Sequence, residues 1–366
     1  QIVAVCDVFE DRREAAKKVA EERYGSGSCA AYNDFRDLLA RKDIDAVSIT
    51  TQDHWHALIA VAAAKAGKDI YCQKPLGTTV EESQAIRDAV RRCNRVFQTG
   101  TQQRSDRSFR FACELARNGY LGKIHTIEVA APGPMYQRKY QKPTTPEPIP
   151  AGFDFEMYHG PAKARPYNGG LWAWPDWYLI RDYCVGFIVN WGVHHLDIAN
   201  WGCPLVTAEP CELQFKGSYR SDGLTDNIND WTGEFRFPGG LRMTYSDTGN
   251  PNEQGCKFIG DEGWVHVNRA RTTTEPKSLR EIEIQAGKID LAQLLDAVAG
   301  QPGQRIGRVR QVVVGVGPHG QRTHQKSPKE LDRKEQQVHR DTHPARQVDE
   351  RDVHAGLLLQ PGGHLL

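Results

Sequence analysis

The chain lacks a surplus of either charge: 47 Lys and Arg stand against 46 Asp and Glu, a formal +1 over 366 residues. That balance gives no general pull toward nucleic acid or an anionic membrane. It also lacks any run of about eighteen apolar residues, so no segment reads as a bilayer span. Its nine cysteines form no CxxC pair and are odd in number. This excludes a disulfide framework and a zinc ribbon, and free thiols suit a reducing compartment. The chain opens on Gln1 rather than Met, and its first residues read as a strand rather than a signal peptide.

The most telling shortage is aromatic. All 32 Phe, Tyr and Trp lie at or before Trp264, and the 82 residues from Gln285 to Leu366 contain no aromatic, Met or Cys. About seven aromatics would be expected there at the whole-chain rate. The same stretch holds six of the 13 His and eleven Gln. Lys288–Val298 fits one amphipathic helix and Val312–Val316 a short strand, with no burying period afterwards. Residues 285–366 are therefore expected to be a disordered or non-native tail without a functional role.

What is present is a regular alternation. Ile2–Cys6, Ala46–Thr50, Asp69–Cys72 and Val96–Thr99 read as short strands, separated by helices over Glu10–Tyr24, Phe35–Leu39, His56–Ala66, Thr79–Asn94 and Ser108–Asn118. Strands of this length between helices predict a doubly wound parallel sheet that binds ligands at its carboxyl edge. After Lys123–Ala130 comes a Pro- and Gly-rich loop region to Pro175, then a helix over Arg181–Trp201. Alternating segments between Glu212 and Asn268, with Gly239-Gly240 at a hairpin, predict an antiparallel sheet. The expected division is a dinucleotide-binding domain at 1–122, a substrate-binding and oligomerisation domain at 123–284, and the tail.

Polar residues gather at the predicted strand ends. Asp7 closes the first strand, where an acid accepts hydrogen bonds from ribose hydroxyls and repels a 2′-phosphate. That favours NAD, while Arg12 and Arg13 leave NADP open; a plain helix N-cap is the alternative. Thr51-Gln52-Asp53-His54-Trp55-His56 follows the second strand, with His54, His56 and Asp53 an incomplete metal set. Lys74, in Cys72-Gln73-Lys74-Pro75, leaves a buried strand, which lowers its pKa toward general acid–base use. Gly100-Thr101-Gln102-Gln103-Arg104 follows the fourth strand. On the predicted helix, Asn190, His194 and Asp197 share one face, and Gly192 permits close approach of a neighbour.

Together these residues resemble the Gfo/Idh/MocA family of glucose–fructose oxidoreductase and inositol dehydrogenase relatives, over roughly residues 2–270. A TPNxxH-like loop is matched by Thr51 to His56, an EKP motif by Gln73-Lys74-Pro75, a GxxxR strand end by Gly100 to Arg104, and a DxGxHxxD helix by Asn190, Gly192, His194 and Asp197. Two departures stand out, Gln73 for a Glu and Asn190 for an acid. The family's first strand and its GxGxxG loop are expected to lie upstream of Gln1, leaving a Rossmann-like sheet one strand short.

The resemblance implies an NAD(P)-dependent oxidoreductase moving a hydride between a sugar or polyol hydroxyl and nicotinamide. Lys74, helped by His194 and Asn190, would be catalytic. Asp7, Thr51, Gln52, Asp53, His56, Gln73, Lys74, Gln103 and Arg104 would bind cofactor, and no metal is implied. Trp172, Trp174, Arg181, Tyr183 and His195 are candidate sugar contacts, with core packing as the alternative for the aromatics. The second sheet would pair subunits into a homo-oligomer, with no nucleic-acid or membrane partner. Cytoplasmic location is the default, and twin-arginine export stays open. Rival readings are an NAD-dependent glycosidase or lyase with transient sugar oxidation, and a truncated inactive fragment.

Overall fold

The structure, a computed structural model, describes residues 1–134, 145–169, 176–219 and 226–282, and the backbone of 311–314. Its first part is built from β1 (Ile2–Cys6), β2 (Ala30–Tyr32), β3 (Ala46–Ile49), β4 (Asp69–Cys72) and β5 (Phe97–Thr99). Pairs β1–β2, β3–β4 and β4–β5 are all parallel. Between them run α1 (Glu10–Tyr24), α2 (Phe35–Leu39), α3 (Asp53–Lys65), α4 (Val80–Arg92) and α5 (Arg107–Arg117).

The helix starts follow from local chemistry. Asp34 accepts from the Arg36 amide, Asp106 from the Ser108 and Phe109 amides, and Thr79 with Glu82 closes a capping box. Each supplies acceptors for amides that have no partner within the helix. The Ala-rich α3 is narrow, so Ala57, Ala60, Ala63 and Ala64 lie flush against a core containing Val47, Ile49, Ile70 and Ile86.

The second part holds α6 (Phe155–His159), α7 (Gly186–Asn190), α8 (Gly192–Gly202) and α9 (Leu205–Ala208). Its strands are β6 (Ile124–Pro132), β7 (Glu212–Tyr219), β8 (Ile228–Arg236), β9 (Arg242–Thr248), β10 (Gly255–Gly260), β11 (Gly263–Val267) and β12 (Thr272–Glu275). They form a seven-stranded sheet ordered β12-β11-β10-β6-β9-β8-β7, antiparallel throughout except for the β6–β9 pair. Ile127, Phe187, Ile198, Trp231 and Phe258 pack between this sheet and the helices. An added Cβ at Gly192 would collide with the Tyr245 hydroxyl, so glycine sets how closely α8 approaches β9. The helix expected from Arg181 starts only at Gly186, whose φ of 79° breaks helical geometry, and it pauses at Trp191.

The parallel sheet is not left one strand short. β13 (Gln311–Val314) lies between β1 and β3 and is parallel to both, giving the order β2-β1-β13-β3-β4-β5. A strand near this place in the chain was expected, but not in this sheet. The rest of residues 285–366, including the helix expected at Lys288–Val298, lies outside the described residues, apart from Val312–Val314 in β13 itself.

Candidate active site

The carboxyl ends of β1 and β3 open into a cleft lined by Cys6, Asp7, Val8, Phe9, Arg12 and Asn33, and by Thr50, Thr51, Gln52 and Trp55. Met157 and Tyr158 of α6 also line it. Asp7 is buried, and one carboxylate oxygen accepts from the Phe9 amide at 2.9 Å. The Arg12 guanidinium lies 3.8 Å from the centre of the Phe9 ring, whereas Arg13 is drawn to the Asp7 carbonyl at 2.6 Å and to Asn33. α6 reaches this cleft because Phe153 stacks on Phe9 with centres 3.9 Å apart and Asn33 donates to Asp154 at 2.6 Å. Nothing in the loop's composition marked it as a wall of the cleft.

A second, tighter site forms around Lys74. Its ammonium donates to the Asn190 side-chain oxygen at 2.8 Å and to the Asn190 carbonyl at 3.0 Å. The Asn190 amide nitrogen donates in turn to Asp53 at 2.7 Å and meets the Cys184 sulfur at 3.0 Å. Loss of water on burial lowers the Lys74 pKa to about 8, against the opposing pull of Asp53. Burial likewise raises the Asp53 carboxyl and drives the Cys184 thiol well up. His194 is buried, and burial, then the Lys74 charge, holds its pKa far down, so the imidazole is neutral. Its Nδ1 has no hydrogen-bond partner among the described residues.

The remaining sequence candidates separate. Asp7, Thr51 and Gln52 line the cleft, but Asp53 does not: the α3 start turns its carboxylate toward Asn190. His56 is fully enclosed, holding the Pro75 carbonyl at 2.6 Å and that of Thr51 at 3.0 Å. Gln73 lies over Gly100, where an added Cβ would meet its Oε1 at 2.7 Å. The Gln103 amide, turned to satisfy both ends, donates to the His194 carbonyl at 2.9 Å and accepts from Arg269 at 3.2 Å. Arg104 forms a two-pronged pair with Asp197, both contacts 2.7 Å.

Among the sugar candidates, Arg181 is exposed, its amide bonded to Asp226 at 2.8 Å. Tyr183 is fully buried, its ring 4.9 Å from that of His54 and its hydroxyl on His159, which is a core position. His195 is enclosed too, with a pKa held near 3 by burial. Trp172 and Trp174 lie outside the described residues. Arg269, Cys184 and the Asp53–Asn190 contact escaped the sequence reading, because each depends on a meeting of distant segments.

One signal could have been read from sequence. β13 is followed directly by Gly315-Val316-Gly317-Pro318-His319-Gly320, which has the GxGxxG spacing. The spacing was sought upstream of Gln1 and so passed over here. Residues 315–320 lie outside the described residues.

Comparison with known proteins gives these contacts a setting. Residues 1–101 match the model of the Gfo/Idh/MocA oxidoreductase family, NAD-binding Rossmann fold. The chain is 30% identical over 134 residues to myo-inositol 2-dehydrogenase of Thermotoga maritima, 36% of this chain and 38% of that protein. It is 39% identical over 105 residues to levoglucosan dehydrogenase of Pseudarthrobacter phenanthrenivorans, 29% of this chain and 26% of that one. The matched part is thus less than half the length of these relatives. In fold, a solved levoglucosan dehydrogenase in complex with NADH and levoglucosan aligns with TM-score 0.54 over 75% of this chain and 67% of that one, at 22% identity. Myo-inositol 2-dehydrogenase from Lactobacillus plantarum aligns with TM-score 0.51 over 75% and 74%, at 17% identity.

Proposed function

We propose that the chain is an NAD-dependent dehydrogenase acting on a hydroxyl of a sugar or polyol. The observation that carries this reading is Lys74, placed at a strand's carboxyl end, gripped by Asn190 and depressed to a pKa of about 8. A lysine so tuned is a base near neutral pH. The inositol and levoglucosan dehydrogenases among its relatives support the substrate class.

The cleft fits a dinucleotide in its donor set. Asp7 presents a buried carboxylate at the strand end, suited to paired ribose hydroxyls, and Val8, Phe35 and Ile59 offer apolar wall. Thr51 and Gln52 complete that wall. By residue type and spacing, Gly315, Gly317 and Gly320 are the candidates for the pyrophosphate. When bound, the nicotinamide supplies the hydride acceptor. Lys74 as the neutral amine would take the proton from the substrate hydroxyl, His194 would offer a neutral imidazole to the same oxygen, and Asn190 would hold Nζ as the amine before transfer and as the ammonium after it.

Residues 1–122 with β13 would then hold cofactor, and residues 123–284 substrate. The second sheet offers a surface for pairing subunits: β7 is exposed along its whole length and presents Leu213, Phe215 and Tyr219.

NAD titration by calorimetry into the 366-residue chain, followed by NADH absorbance with myo-inositol and levoglucosan, tests the reading. Micromolar binding and hydroxyl-dependent NADH release are expected. Absence of NAD binding overturns it.

A further inference from the structure

Among the described residues, the carboxylate bonded into the Lys74 site is that of Asp53, and it comes from an unexpected element. Asn190 is a neutral amide whose oxygen accepts from Lys74 while its nitrogen donates to Asp53. An amide can present either end to a neighbour, so its partners must set its direction. The Asp53 oxygen, 2.7 Å away, accepts only, and the Cys184 sulfur supports it at 3.0 Å. The amide nitrogen is thereby committed to Asp53, and the oxygen must face the ammonium. Reversed, the amide would aim its own hydrogens at three ammonium hydrogens.

Asp53 is itself fixed. It is the first residue of α3, where the helix field favours a negative charge, and the Val185 amide donates to the same oxygen at 3.2 Å. The charged and titratable groups acting on it or on Lys74 are His56 on its own helix, Lys74, Cys72, Cys184, Tyr178, His194 and Arg269.

We propose that Asp53 is the positioning carboxylate of this site: through Asn190 it aims the acceptor at Lys74 and supplies the negative charge that steadies the ammonium formed when Lys74 takes up a proton. The proton passes from the substrate oxygen to Nζ and no further; Asp53 stays one residue removed and does not touch the substrate. The second half of this statement rests on the dehydrogenase reading above, and the first half on geometry alone.

The test reads Lys74 in the ligand-free full chain, by NMR of ¹³C-methylated lysines with Lys74→Arg assigning the signal. D53N is expected to move the Lys74 titration to lower pH, because a charge that favours the ammonium is gone. D53N/N190D returns the carboxylate to the amide's own position and is expected to restore the midpoint. NADH release should fall at least roughly tenfold in kcat in D53N, with KM little changed, and recover in the double variant. An unmoved midpoint in D53N, or a double variant titrating below the parent chain, overturns the proposal. Should D53N not fold, D53E, which keeps the charge on a longer stem, must hold the parent midpoint, and a drop overturns the proposal. Midpoints that behave as expected in a chain that turns over no hydroxyl would sustain the positioning role and sink the dehydrogenase reading.

Discussion

The cleft beside Asp7 and the pocket around Lys74 lie at the same edge of one sheet, yet they are built differently. The cleft opens to solvent and is walled by both polar and apolar residues. The Lys74 pocket is tighter, and its polar atoms form a chain from Nζ through Asn190 to Asp53. Polar groups removed from water need partners, and satisfying them rigidifies a site. The pocket is therefore pre-set for one chemical step, whereas the cleft can be completed only by what enters it. Substitutions should separate the two, with turnover responding in the pocket and affinity in the cleft.

The strongest break is Lys74→Ala. Turnover is expected to drop a thousandfold or more, with NAD affinity kept within about tenfold, near 1.4 kcal/mol. Comparable losses in both, measured by NADH release and calorimetry, would erase the distinction between pocket and cleft. Next is a stop after Arg310, which removes β13 from between β1 and β3. NAD binding should become undetectable and the melting temperature should fall by several degrees. A truncated chain that binds NAD as before would show that β13 and the glycines after it contribute nothing to the cleft.

Asp7→Asn acts on the cleft alone. It removes one charge-assisted acceptor and should weaken NAD binding about tenfold, with kcat at saturating NAD unchanged. Acidity sharpens the contrast from the other side. A lysine base works when neutral, so kcat/KM should rise with pH through about 8 and then level off. The folded pKa lies below the ordinary lysine value, so the unfolded chain binds more protons between the two, and stability contributed by this group also grows with pH there. A flat rate profile would remove Lys74 from the proton step. The smallest effect belongs to Arg104→Met, which breaks the pair with Asp197 at a cost of about 1–3 kcal/mol, read by denaturant melting, while NAD affinity holds.

Legibility in the sequence followed the range of the interactions. The Thr79–Glu82 capping box, the Asp34 cap and the strands around Val47 and Ile70 are local, and sequence reading places them within a residue or two. β2 and β12, at three and four residues, are too short to show a period. Asp53 was grouped with the cofactor residues because it follows a strand. Its partner is 137 positions away on another helix, and spacing cannot reveal which way a side chain turns there. Tyr183, an aromatic suited to sugar, is buried by Tyr158 and His54 from two other segments. The glycine spacing after β13 was fully visible and was missed only because it stands at an unexpected point along the chain.

The place of β13 has a consequence in time. Translation at about 5–20 residues per second puts Gln311 tens of seconds behind Ile2. Throughout that interval β1 and β3 have unmatched facing edges, each able to recruit a strand from a neighbouring nascent chain. The sheet that would receive the dinucleotide thus closes late in synthesis, and slow ribosomes or crowded polysomes should favour aggregates of this protein over its folded form.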